Sequence, residues 1–233
     1  MNYSRLHKWH IWLGWLIGVP LILWTASGLF MVARPIEEVR GSHLRADPLP
    51  IKTIRPVVPL LHGRALETLT LEQRAAGPVW VIKYSDGGAR QADATTGALL
   101  PPLSAADAAT LAAGYYAGKT KLIGTARFSA ANAPLELRRD RPSWQLRYDD
   151  GTRLYIDADS GTLLAVRTRW WRIFDFMWGL HIMDLQSREN SHHPILIGFA
   201  GMSLIGLLLA FTMQLWRPRS RRKNRTHRSV PVD

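Results

Sequence analysis

The 233-residue chain contains no cysteine. That excludes a disulfide framework, thiolate catalysis, cysteine-held iron–sulfur clusters and haem attached through Cys-x-x-Cys-His. Haem held without a covalent bond stays open, because histidine alone can supply axial ligands. Acidic residues are scarce: 18 Asp and Glu stand against 30 Lys and Arg, for a net charge of +12. His-Glu-x-x-His and Gly-x-Ser-x-Gly are both absent, so neither a zincin nor a serine-hydrolase site is written in the chain. Charge is missing altogether from two stretches, 11–33 and 194–216.

Each uncharged stretch is 23 residues long, and about 20 apolar residues cross a bilayer core. The first is too long for the 7–15-residue core of a signal peptide, and Thr25-Ala-Ser-Gly28 makes a poor cleavage site. Both read as retained transmembrane helices. Mean hydropathy is only −0.08 because the segment between them is polar. Arg5 and Lys8 precede the first span, and seven Lys and Arg follow the second, from Arg217 to Arg228. Short basic flanks stay cytoplasmic while long loops translocate. Both termini are therefore expected in the cytoplasm, with 34–193 outside, in a bacterium the periplasm. A basic tail directly after a membrane helix serves topology and anionic lipid, so no nucleic-acid partner is expected.

Residues 34–57, with Pro35, Pro48, Pro50 and Pro56, read as mostly extended. Val58–Leu69 has helical apolar spacing. Offset by 64, residues 71–100 match 135–164 at 13 of 30 positions, where chance gives about 2. Trp80, Tyr84, Asp86, Gly87, Asp93 and Gly97 meet Trp144, Tyr148, Asp150, Gly151, Asp157 and Gly161. Each copy reads as a small antiparallel sheet. Trp144–Tyr148 and Arg153–Asp157 are strands around an Asp-Gly hairpin turn, and Asp159-Ser-Gly161 turns into Thr162–Val166. Ser104–Tyr116 reads as a helix capped by Ser104, with Asp107 in its first turn. Each unit is then a helix plus a short meander. The repeated aspartates sit at turns and strand ends, which explains them without catalysis.

The stretch from Trp170 to Asp184 is densely aromatic, with Phe174, Met177, Trp178 and His181 on one helical face. Eight of the ten Trp lie in or beside the two spans. This segment is expected to lie on or dip into the outer leaflet and lead into the second span.

The opening Leu6-His7-Lys-Trp9-His10-Ile-Trp12-Leu13-Gly14, the later Trp24-Thr-Ala-Ser-Gly28, the two units ending in Asp-Ala-x-x-Gly-x-Leu-Leu and the stretch Trp178-Gly-Leu-His181 together resemble the PepSY-associated transmembrane family. The resemblance covers nearly the whole chain, and its specific part is the repeat. It implies two periplasmic PepSY-like units. It also implies kinship with larger four-helix proteins, some resembling haem b-containing inner-membrane reductases of ferric siderophores. PepSY units also occur in metallopeptidase propeptides, as inhibitors. With two spans, one copy supplies half the helices of such a reductase.

Of the eight histidines, His43, His62 and His227 lie in polar surroundings and receive no role. His7 and His10 stand at the inner entrance of the first span; His192 and His193 stand at the outer entrance of the second, with His181 just before them. A bis-histidine haem needs two imidazoles at one depth on facing elements. His10 is on the order of 30 Å from His192 and His193, so one chain cannot pair them. His7 and His10 share a face and cannot grip opposite sides of one haem. Two arrangements remain: His181 with His192 or His193, or His10 with His10 of a second copy. Interfacial histidines bonded to headgroups or backbone are the plain alternative. The resemblance points to His10 and His181 as ligands of haem iron.

The expectation is an α+β membrane protein: a cytoplasmic start (1–10), a first span (11–33), PepSY-like units (34–103 and 104–168), an aromatic connector (169–193), a second span (194–216) and a basic tail (217–233). Its function is expected to be haem b-dependent electron transfer to a periplasmic ferric chelate, as a homodimer or within a larger reductase. The alternative is a tethered PepSY module that binds a peptidase or another envelope partner without a cofactor.

Overall fold

A computed structural model describes residues 3–215; Trp216 and the basic tail expected at 217–233 lie outside the described residues. The first helix, α1, runs from Tyr3 to Val32, and the last, α5, from Pro194 to Leu215. Proline opens α5, where its missing N–H costs nothing. His7–Val32 and Pro194–Leu215 are long and apolar enough to cross a membrane. Only 6% and 11% of their apolar windows are buried inside the protein, so neither is the core helix of the domain between them.

That domain is α+β with two antiparallel sheets. The first has the order β1-β2-β3, with β1 at Leu66–Arg74, β2 at Gly77–Tyr84 and β3 at Ala89–Asp93. The second has the order β4-β5-β6-β7, with β4 at Leu122–Phe128, β5 at Ser143–Tyr148, β6 at Arg153–Asp157 and β7 at Leu163–Arg167. Between the sheets lies α3, Ala105–Tyr115. It carries the expected capping box: Ser104 Oγ accepts from Asp107 N, and Asp107 accepts from Ser104 N.

The 64-residue offset holds for β2 with β5 and for β3 with β6. It fails for the strand before them. Leu66 pairs with Tyr84 and Leu122 pairs with Tyr148, each next to a bulge, so β1 and β4 correspond at an offset of 56. The matched Leu71, Glu72 and Arg74 lie in β1, whereas Leu135 and Glu136 form a 3-10 turn and Arg138 is left-handed at φ 60°. The second unit thus carries a longer connection between its first two strands. Leu137 from that connection packs with Tyr155 and Ala165 on one face of the second sheet. The opposite face packs Leu146, Leu154, Ile156 and Val166 against α3.

Two expectations about the first unit are corrected. Val58–Leu69 is not helical; the chain is irregular to residue 65 and enters β1 at Leu66. Thr68 and Thr70, β-branched, suit the strand, and Leu69 packs on Ile82 and Ala92. No helix lies between residue 45 and the first meander, because Pro48, Pro50, Pro56 and Pro59 break the backbone hydrogen-bond ladder there. The stretch after α1 is also not wholly extended. It holds the short α2, Ile36–Arg40, turned at Gly41. Gly41 has φ 67°, and a Cβ there would meet Thr168 Cγ2 at 2.9 Å.

The units interlock. Buried Arg74 donates to Gln91 Oε1 at 2.7 Å within its own sheet and to the Ser160 carbonyl at 2.8 Å in the other. Leu103 N donates to the Ala158 carbonyl at 2.8 Å.

Candidate functional site

The thirteen residues from Arg169 to His181 form α4. Thr168 caps it, accepting from Trp171 N at 2.9 Å and donating to the Val39 carbonyl at 3.2 Å. Trp170 lies 6.2 Å from Phe30 and under the Arg34 guanidinium at 4.1 Å. At the other end His181 stacks on Trp24 at 4.5 Å and 19°. Rising numbers on α4 meet falling numbers on α1, so α4 runs back along the last turns of α1.

His181 docks into a notch of α1. Its Nδ1 lies 3.1 Å from the Trp24 carbonyl and 3.1 Å from Ser27 Oγ. Ser27, buried, donates its one hydroxyl proton to the Trp24 carbonyl at 2.8 Å. Both oxygens therefore face Nδ1 as acceptors, and the network assigns the proton to Nδ1. Nε2 has no hydrogen-bond partner among the described residues. Gly28 makes room: a Cβ there would stand 3.2 Å from His181 Cε1. The motifs Trp24–Gly28 and Trp178–His181, each short, are two halves of one contact.

The other site residues are placed as follows. His193 is half-buried before α5, and its Nδ1 is buried without a partner. His10 is half-buried on α1, again with a buried, unpartnered Nδ1. His192 is exposed, its backbone N donating to Asn190 Oδ1 at 3.0 Å. His7 is exposed on α1. No cluster of three or more His, Cys, Asp or Glu with metal-binding geometry occurs among the described residues. Near His10, an apolar groove of about 710 Å³ runs between Trp9, Trp12, Leu13, Leu16, Ile205 and neighbours.

A second polar cluster fixes α4 to the sheets. Asp175, buried on α4, accepts from Arg138 of the long connection and from Arg188 at 2.7 Å. Asp184 ties the following turn, accepting from Ser187 N at 3.0 Å, Asn190 N at 3.1 Å and the Ser187 hydroxyl. The Ser187 hydroxyl bond, with backbone N–H donors behind it, holds the Asp184 carboxyl well below its ordinary range. A depressed carboxyl stabilises the fold above its unfolded pKa of about 3.9 and loses that contribution as pH falls through the folded value. Acidification below about pH 4 is expected to lower the melting temperature, with a shallower fall in Asp184→Asn. Identical pH slopes for variant and parent would remove Asp184 from the account.

Sequence reasoning missed the receiving side of the notch, Ser27 and the Trp24 carbonyl. A small polar residue beside a glycine inside an apolar helix was the available signal.

Comparison of the chain with family models, with curated protein sequences and with solved structures finds no match.

Proposed function

We propose that the chain is a bacterial inner-membrane protein that holds haem b at membrane-edge histidines and passes electrons to a ferric chelate or similar acceptor outside. The observation that carries this reading is the seat of His181 Nδ1 between the Trp24 carbonyl and Ser27 Oγ. A metal-binding imidazole typically donates its second nitrogen to a carbonyl or carboxylate, which orients the ring and raises the basicity of the ligating nitrogen. His181 meets that requirement through Trp24 and Ser27.

The fit extends to a second ligand. Gly206 of α5 faces Leu13 and Ile17 of α1. Spans joined by one external segment run antiparallel. At 1.5 Å per residue, His193 is then about 20 Å outward from that crossing, and the Trp24–Ser27 notch about 14–18 Å. By this count His193 and the notch lie within about 2–6 Å of one another in depth, and half-buried His193 suits the pairing better than exposed His192. The orphaned Nδ1 atoms of His193 and His10 are costly unless something bonds them. His10, at the other end of α1, is left to pair across two copies, as a homodimer or within a larger reductase.

Haem b, held by His181 and His193, would supply one-electron ferric–ferrous chemistry. The chain's own part is to orient the His181 ring through Trp24 and Ser27 and to cover one ring face with Trp24. The test is the visible spectrum of the detergent-solubilised protein, oxidised and then reduced with dithionite. A sharp Soret band with split α and β bands on reduction is expected.

A colourless protein from haem-replete cells would instead favour a tethered module that binds an envelope partner such as a peptidase. The feature on its side is the pair of outer strand edges, β1 and β4, each bonded on one side only in its sheet. Unpaired edges accept extended segments of other chains. Under both readings the termini are cytoplasmic. A reporter enzyme fused after Asp233 is expected to be active only when it is a type that works in the cytoplasm, and activity of a periplasm-only reporter would reverse the topology.

A further inference from the structure

The face of the second sheet that carries Leu137 also carries a row of like charges. Arg147 of β5 stands directly opposite Arg153 of β6, and Arg153 directly opposite Arg167 of β7. Directly opposed residues share a face, and like charges in that position destabilise a sheet. Glu136 is the carboxylate hydrogen-bonded within the row. It bonds Arg153 at 2.8 Å, lies 4.0 Å from Arg172 and accepts from the Tyr155 hydroxyl. Its own backbone carbonyl accepts from Arg167 Nε. Glu136 thus serves Arg153 and Arg172 with its carboxylate and Arg167 with its carbonyl, and Asp175 adds a second negative charge near Arg167. Burial holds Arg167 down to about 10 against the opposing pull of these two carboxylates.

The open end of the row has no counter-charge. Arg147 is exposed over Gly124, where a Cβ would meet its Nη2 at 2.9 Å. Arg169, also exposed, sits by Gly151 in the hairpin turn beside the row, next to Arg172, which donates to the Gly151 carbonyl at 2.6 Å. No carboxylate pairs with Arg147 or Arg169 among the described residues. Asp150 of the same turn points to the α3 side, bonded to Thr152 and near Tyr116. The corresponding pair in the first sheet is Lys83 opposite Ala89, so the repeat architecture does not require an arginine row.

We propose that this end of the second sheet is a binding site for a small soluble polyanion, whose carboxylate or phosphate oxygens are gripped by Arg147 and Arg169 beside Arg153. Guanidinium forks match such oxyanions in charge and geometry. Binding supplies the missing counter-charge and offsets the repulsion built into the row. The site lies at the α4 N-terminus, by Arg34 at the end of the uncharged part of α1, and the vesicle arm of the test separates a soluble anion from a lipid headgroup. It does not depend on a haem.

The test is calorimetric titration of the full-length, detergent-solubilised protein with sodium citrate and, separately, sodium pyrophosphate. Three proteins are compared: the parent, Arg147→Gln/Arg169→Gln, and Lys52→Gln/Arg55→Gln as a charge-matched control. Circular dichroism checks that all three are folded. Saturable single-site binding is expected in the parent, at least tenfold weaker in Arg147→Gln/Arg169→Gln and unchanged in the control. No binding of either anion to the parent overturns the site. Equal weakening in both variants overturns it too, since net charge alone would then be responsible. Competition by phosphatidylglycerol vesicles but not by phosphatidylcholine vesicles would assign the row to lipid headgroups and overturn the soluble ligand.

Discussion

Purified His181→Ala is expected to contain less than about a tenth of the parent's haem, measured as pyridine haemochrome per mole of protein. The alanine removes the proposed iron ligand and leaves an unfilled notch against Trp24. Ser27→Ala keeps the ligand and removes one of the two acceptors that fix its proton. Losing such a supporting bond typically costs 10–100-fold in metal affinity, so haem content is expected to fall only when haem is limiting. Gly28→Val tests the same contact by crowding, since even a Cβ at that position stands 3.2 Å from His181 Cε1. The three variants form a graded series through one imidazole. Parental haem content in His181→Ala would sink the outer-side arrangement and leave His10, paired across two copies, as the remaining geometry.

Asp175→Ala is expected to be the most damaging substitution outside the two long apolar helices, α1 and α5. Its carboxylate is 7% exposed and receives Arg138 and Arg188, themselves 15% and 24% exposed. Removing one partner from a buried ion pair leaves uncompensated charge and costs about 3–5 kcal/mol. Two guanidiniums are stranded here, although their partial exposure argues for the lower end, about 3 kcal/mol. For a chain of this size that is a fall in melting temperature of about 10 °C. Glu38→Ala is the contrast. Its pair with Arg34 is 3.5 Å long with both side chains about half exposed, so its loss is expected to shift the melting temperature by no more than a degree or two. Equal melting temperatures for Asp175→Ala and the parent, followed by differential scanning calorimetry, would show that α4 does not depend on this cluster.

The parts of the fold legible in the sequence were those set by local pattern. Ser104 with Asp107 announced α3, and the Asp-Gly pairs announced the hairpins. Misreadings came where two local signals competed. At Val58–Leu69 the apolar spacing suited a helix, but proline upstream and threonine downstream suited the extended chain that forms. At 135–138 the identity match to 71–74 does not carry over to conformation, because those residues lie in a connection whose conformation follows the face it covers. The arginine row was within reach of the sequence, because a hairpin turn over 149–152 places 147 against 153.

The sequence by itself determined the two long apolar helices, the repeated sheet-forming units, the lack of thiol chemistry and the small set of histidines. These follow from composition and from periods of two and 3.6 residues, which act over a few neighbours. Only the tertiary structure decided that α4 turns back along α1, so that His181 meets Trp24 and Ser27 more than 150 residues away in the chain. It alone decided that Arg138 reaches Asp175. Such contacts depend on how finished elements dock, and docking is governed by shape, buried charge and room for one ring beside a glycine, none of which a local pattern encodes.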